Sequence, residues 1–431
     1  MEPGPSPLLL KGGRLLCPAS GLDQVGDLLV KDGLISDVGP DLSEPAARVL
    51  DCAGLVVAPG LIDLHVHLRE PGQEYKETVA SGSAAAAAGG FTGVCPMPNT
   101  SPVNDSRAVT EMILQKAREA GLCRVYPVGA ITLGLKGQGL SEMAELKEAG
   151  CVAVSDDGRP VTDSRLLRRA MEYAAGFDLP VICHSEDLSL SAGGVMHEGP
   201  TATRLGLKGI PAEAEVICVE RDLNLARLSG ARVHIAHVSC AGSLEAVRRA
   251  KEAGLGVTCE TAPHYLLLTD QDVGDYDTNF KMNPPLRSAA DRQALRRGLA
   301  EGVIDAVATD HAPHSILEKE VEFDSAAFGV VGLETALGVV LQLVEEGVLN
   351  LHQAIARLCS GPAQALGLPG GRLQEGSPAD VVVIDPAKAW TVDPKDFRSL
   401  SRNTPFAGRA LPGRAVLTLL GGRVTHSLLG D

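Results

Sequence analysis

The sequence predicts an α/β protein: a TIM-like (β/α)8 barrel over residues 58–366, beside a small β-sandwich that the two chain ends, 1–57 and 367–431, supply together. Three observations carry this. Eight short apolar segments alternate with helical stretches through the middle of the chain. Both ends read instead as short strands separated by glycine turns. Polar residues suited to chemistry fall at the carboxyl ends of the middle segments, where a barrel of this kind places its site.

Taking the chain in order, LLLKGGRLL, DLLVKDGLISDVG and ARVLDCAGLVVAPG alternate as strands, with Lys31-Asp32-Gly33 as a hairpin turn. The carboxyl end matches them in style, with ADVVVIDP and AVLTLLGGRVTH between glycine turns. The middle places strands at 61–66, 91–95, 124–130, 151–155, 180–184, 232–237, 256–260 and 303–309. Helical stretches at 76–89, 106–120, 164–176, 212–229, 242–253 and 287–301 lie between most of them. A doubly wound open sheet is the competitor, but it normally uses fewer strands, and no glycine-rich phosphate turn follows any of these.

Composition narrows the partners. Across 431 residues, 45% hydrophobic and 22% charged side chains suit a globular protein with room for a barrel and a smaller domain. A net charge of −15 argues against nucleic acid or an anionic membrane as partner, while leaving room for a small anionic substrate. The amino terminus carries no basic stretch of the signal-peptide kind, and no apolar run reaches membrane length, so the expectation is a cytoplasmic protein. Ten cysteines without a CxxC pair indicate neither a disulfide framework nor a zinc ribbon. A metal would therefore rest on His and Asp.

The stretch LVVAPGLIDLHVHLR, 55–69, ends an apolar run in two histidines spaced i, i+2, which puts His65 and His67 on one side of a strand. Asn99 follows the second strand, Asp156 and Asp157 the fourth, His184 the fifth, His237 the sixth and Asp310 the eighth. Four imidazoles and two carboxylates suit Zn2+ better than Ca2+ or Mg2+, and suffice for one or two ions. Such ions lower the pKa of water to about 7. Asp310 would take its proton and pass it to a leaving nitrogen, which makes metal-assisted hydrolysis of an amide-like bond the expected chemistry.

HVHLR, MPNTSPV, SDDG, CHSED, IAHVS, KMNPPLR and TDHAPH, in this order, resemble the amidohydrolase superfamily and, more narrowly, the type I dihydroorotases. The resemblance runs over nearly the whole chain. It implies His65, His67 and Asp310 as ligands of a first zinc, His184 and His237 of a second, and Asp157 touching both. It further implies that Arg69 and Asn99 hold a substrate carboxylate, that His314 closes on it, and that Asn283 contacts the ring. The implied reaction is the reversible cyclisation of N-carbamoyl-aspartate to dihydroorotate and water in pyrimidine synthesis. A homo-oligomer, and association with aspartate transcarbamoylase, are compatible with it.

Blander assignments compete at several positions. Asp156 is expected to cap a turn rather than bind metal. His234 and His237 lie three apart on one strand, so the later one is expected to face the site and His234 to be structural. His264 is expected to pack or to support the site, His311 to point away from Asp310, and His197, His352 and His426 to play no part. The irregular segment 311–332 is expected to cross the mouth, bringing His314 and the backbone near Gly329 to substrate. Hydantoinases and allantoinases are the nearest enzyme rivals, yet they resemble one another in using a carboxylated lysine. The stretch CVAVSDDG offers none at the strand end. The rival from another class, a non-catalytic partner of aspartate transcarbamoylase, would typically have lost ligands that this chain keeps.

Overall fold

The computed structural model of the chain describes residues 7–429 and is a mixed α/β protein. Every expected strand of the middle region is present. Leu61–Val66 pairs in parallel with Phe91–Pro96, and that strand with Arg124–Val125. A second set runs Val128–Ala130, Ala153–Ser155, Val181–Cys183, Val233–Ile235, Val257–Thr261 and Ala306–Val307, each parallel to the next. The expected strand 124–130 is thus two short ones with Pro127 between them, where a missing N–H interrupts the ladder. A parallel bridge between Val66 and His311, with His67 N–H donating to His311 O at 2.8 Å, carries the order from the last segment back to the first.

Apolar residues sort into two layers. Ile62, Cys95, Val128, Ala153, Ile182, Ala236 and Ala306 cluster together, close to one residue per strand, so the parallel strands share a centre. Phe91, Val94, Val154, Val181, Val233 and Val257 face the other way, onto the helices. The helices begin where side chains can satisfy free backbone N–H groups. Thr78 caps Val79–Ala88, Asp163 caps Ser164–Ala175 and Ser288 caps Ala289–Glu301, which is why the first starts three residues later than its apolar pattern suggested. Helix Ser164–Ala175 buries Leu167, Ala170, Met171 and Ala174, the spacing of one helical face.

The two chain ends interleave in one eight-stranded sheet. Its order is Arg423–Ser427, Arg414–Leu420, Val381–Asp385, Val56–Pro59, Leu8–Cys17, Leu22–Lys31 and Leu34–Gly39, with Arg48–Asp51 also against Leu8–Cys17. Asp32 and Gly33 both take positive φ, 51° and 78°, the geometry that matches a two-residue hairpin to strand twist. Leu10, Leu15, Leu28, Ile35, Val57, Val381, Val383 and Leu417 form this sheet's own core. An excursion after Cys183 was not anticipated: short helices Leu188–Ser191 and Pro200–Leu205 and a two-stranded ladder, Met196–His197 with Gly209–Ile210. Among the described residues no helix is long and apolar enough to cross a membrane.

Candidate active site and metal centre

A register shift between Asp63 and Val66 interrupts pairing with Phe91–Pro96 at the point where the apolar run gives way to His65 and His67. Beyond the strand ends, Arg69, His237 and Asp310 have positive φ, 60°, 34° and 48°. Non-glycine residues enter that region at a cost of about 1–3 kcal/mol each, and three of them around one site indicate backbone held there by its surroundings. Strand geometry ends at Ile235, so simple alternation does not reach His237. His234, expected to be structural, bonds Glu260 and Thr258 and does not line the cavity.

The side chains of distant segments converge. Asp310 Oδ1 lies 3.2 Å from His67 Nε2 and 3.7 Å from His65 Nε2. Asp157 Oδ1 lies 3.3 Å from both His65 Nε2 and His184 Nδ1 and 3.8 Å from His237 Nε2, while its Oδ2 is 3.6 Å from His67 Nε2. His184 Nδ1 and His237 Nε2 face each other at 2.8 Å. The sets His65-His67-Asp310 and His65-Asp157-His237 each have ligand atoms within 4.8 Å of one another, as holding one ion requires.

The outer nitrogens of three of these imidazoles are already occupied. His65 Nδ1–H donates to Glu260 Oε1 at 3.0 Å, His67 Nδ1–H to Asn99 Oδ1 at 2.9 Å, and His184 Nε2–H to Glu186 Oε2 at 3.1 Å. Each bond orients its ring so that the second nitrogen points inward. His65 Nε2 is buried and has no hydrogen-bond partner among the described residues, a polar atom that a cation would satisfy. The donor set and this unpartnered nitrogen fit a metal.

Burial alone would raise every carboxyl here, but the imidazoles overcome it. They hold Asp157 and Asp310 well below the usual carboxylate range, and Glu260 and Glu186 at about 2. His314 is pushed down to about 3 by burial and by the charges of Arg69, Lys76 and Lys319, so it stays neutral.

One cavity of about 250 Å³ is lined by every residue expected at the site except His65, which lies buried beneath it. Arg69 donates from Nε to Pro313 O at 3.1 Å, and its Nη2 is 3.4 Å from His314 Nε2. His314 Nε2–H donates to Phe328 O at 2.8 Å. Asn99 has both ends engaged, with Nδ2 donating to Asp157 Oδ2 at 3.3 Å, and Asn283 Nδ2 donates to Glu186 Oε2 at 3.0 Å. Asp156 is turned away and accepts from the N–H groups of Ile131 and Thr132 and the Thr132 hydroxyl. His311 likewise faces Glu77 and the N–H of Gly332. His264 is buried with Nε2 unpartnered among the described residues, and burial lowers its pKa to about 4. From the segment 311–332, Ala312, His314, Phe328 and Gly329 line the cavity, and His311 is bridged to Val330.

Sequence reasoning missed Glu260, whose carboxylate joins His65 to His234, and Asp63, which accepts from the N–H groups of His65 and Thr309. It also missed Glu186 and Asn403. A signal existed for the first two, since a carboxylate inside a buried strand demands partners. Asn403, far along the chain, gave none.

A family model described as dihydro-orotase-like matches residues 54–243. A dihydroorotase of Anaeromyxobacter sp. (strain K) is 58% identical over 422 residues, covering 97% of this chain and 98% of that one. A dihydroorotase of Syntrophotalea carbinolica is 57% identical over 421 residues, covering 98% and 99%. Among solved structures, an L-hydantoinase from Arthrobacter aurescens superposes with a TM-score of 0.88 at 28% identity, covering 97% of this chain and 96% of that one.

Proposed function

The chain belongs to the dihydroorotase family, and from that premise we propose a zinc-dependent dihydroorotase that interconverts N-carbamoyl-aspartate and dihydroorotate, with the residues converging on one cavity as its machinery. The parallel strands are then a closed (β/α)8 barrel over 58–366, with 124–130 as one broken strand, and the sheet of both chain ends is the smaller domain. The observation that carries this is the inward turn of four imidazole nitrogens toward Asp157 and Asp310 beneath a rim of Arg69, Asn283 and His314.

His65, His67 and Asp310 would hold one ion, His184 and His237 a second, and Asp157 would touch both. An all-nitrogen-and-oxygen set rich in imidazole suits zinc. When bound, the ions supply Lewis acidity and lower the pKa of the attacking water. Arg69 offers a planar, permanently charged fork to the substrate carboxylate, and neutral His314 approaches the same end from the loop above. Asn283 presents an amide to the ring. In the ring-opening direction Asp310 Oδ1 accepts a proton from the attacking water and delivers it to the departing ring nitrogen; in ring closure it reverses both transfers. The neighbouring imidazoles hold it ionised before the reaction begins.

Purified protein, analysed for bound metal, should consume dihydroorotate, followed by loss of its absorbance, faster than hydantoin or allantoin. Preference for either of the last two overturns the assignment.

A further inference from the structure

Lys319 ends the short helix Ile316–Lys319 in the loop above the cavity, yet it is only 4% exposed. Its ammonium donates to three carbonyls: Lys281 O at 3.3 Å, Ala327 O at 2.9 Å and Gly329 O at 3.0 Å. Three N–H bonds thus meet three acceptors drawn from two segments far apart in sequence. Burial, with the neighbouring Lys281 charge, presses its pKa down to about 7. That is the cost of a cation held by dipoles, where an apolar side chain of the same length would pack more cheaply.

The tied segments are those that face the cavity. Lys281 lies two residues before Asn283, and its carbonyl also accepts Gly329 N–H at 3.0 Å. Gly329 O takes a second bond from Asn403 Nδ2 at 3.1 Å, and Asn403 Oδ1 accepts His314 N–H at 3.1 Å. At φ +134°, a Cβ on Gly329 would stand 2.7 Å from the Ala312 Cβ, so the backbone passes here without slack. Lys281 Nζ pins the outer part of the same loop through Phe323 O at 2.7 Å and Asp324 O at 3.0 Å.

We propose that Lys319 is a positioning residue: its ammonium clasps the loop edge Ala327–Gly329 to the segment carrying Asn283, setting the rim that receives an anionic substrate. It touches no substrate itself. The proposal rests on the dihydroorotase reading for the identity of that substrate, but not for the clasp.

The test compares the whole enzyme with Lys319→Met and Lys319→Arg. Amide hydrogen exchange over residues 325–332 should rise by about tenfold or more in Lys319→Met, with Val181–Cys183 unchanged. KM for dihydroorotate should rise by about tenfold, with kcat within about threefold and metal content equal, as expected when binding geometry rather than chemistry is lost. Lys319→Arg, which keeps the charge but not the three-carbonyl fit, should fall between, and it carries the test if the Met variant does not fold. Unchanged exchange, or loss of kcat at constant KM, overturns the clasp. If the parent enzyme does not turn over dihydroorotate, the functional reading fails, and the exchange measurement alone decides on Lys319.

Discussion

Replacing Glu260 isolates how much the site depends on a residue that lies beyond the proposed ligands. Its two oxygens accept from His65 Nδ1 at 3.0 Å and His234 Nε2 at 3.1 Å, both fully buried. Losing a hydrogen bond to a charged group costs about 1.5–3 kcal/mol. Partners that orient metal-bound imidazoles are worth about 10–100-fold in metal affinity, or about 1.4–2.7 kcal/mol, so the two scales agree. Glu260→Gln should sit at the low end. The amide oxygen can still accept from His65, while His234 can switch tautomer, because Thr258 Oγ1 at 2.8 Å is able to accept from its Nδ1. The expected loss is about tenfold in zinc affinity. Glu260→Ala leaves His65 Nδ1–H without an acceptor and should approach 100-fold, again an order-of-magnitude figure. Chelator competition measures the affinity, and turnover at saturating zinc separates metal loss from misorientation. If both variants bind zinc within about twofold of the parent, the orienting role of Glu260 is refuted.

Asp310→Asn should retain metal in part, because four imidazoles and Asp157 remain, while kcat falls by about 10²–10⁴ for want of a proton acceptor; near-normal turnover would exclude the shuttle. Arg69→Met should raise KM for dihydroorotate by about 10–100-fold with a smaller change in kcat, read from steady-state rates, since a charged fork for the carboxylate is lost. Burial raises the Asp156 pKa from 3.8 to about 6 against the hydrogen bonds from Thr132 and Ile131. The folded state therefore holds this proton more tightly, and its contribution, about 3 kcal/mol at most, is present below pH 4 and lost as pH rises through about 6. Denaturant unfolding across that window should show the slope in the parent and not in Asp156→Asn; an equal slope in both assigns it to other groups.

Local chemistry in the chain was enough to mark the parallel strands, the helices between them and the polar residues closing each strand, because side-chain periodicity and turn residues act within a few positions. The His-Val-His pair and Asp157, His184, His237 and Asp310 were legible for that reason, and so was the hairpin at Asp32-Gly33. Local pattern failed where the backbone leaves regular geometry. The positive φ of His237 takes it out of the strand alternation that was used to compare it with His234, and the capping of Val79–Ala88 by Thr78 moved a helix start. Only the tertiary structure decided which distant groups meet: Glu260 behind His65, Glu186 behind His184, and Asn403 and Lys319 gripping Gly329 from segments with no shared motif. The reason is that partners for buried N–H groups and charges are chosen by which strands and loops pack side by side. That depends on register and on the path of the whole chain, and no short stretch encodes it.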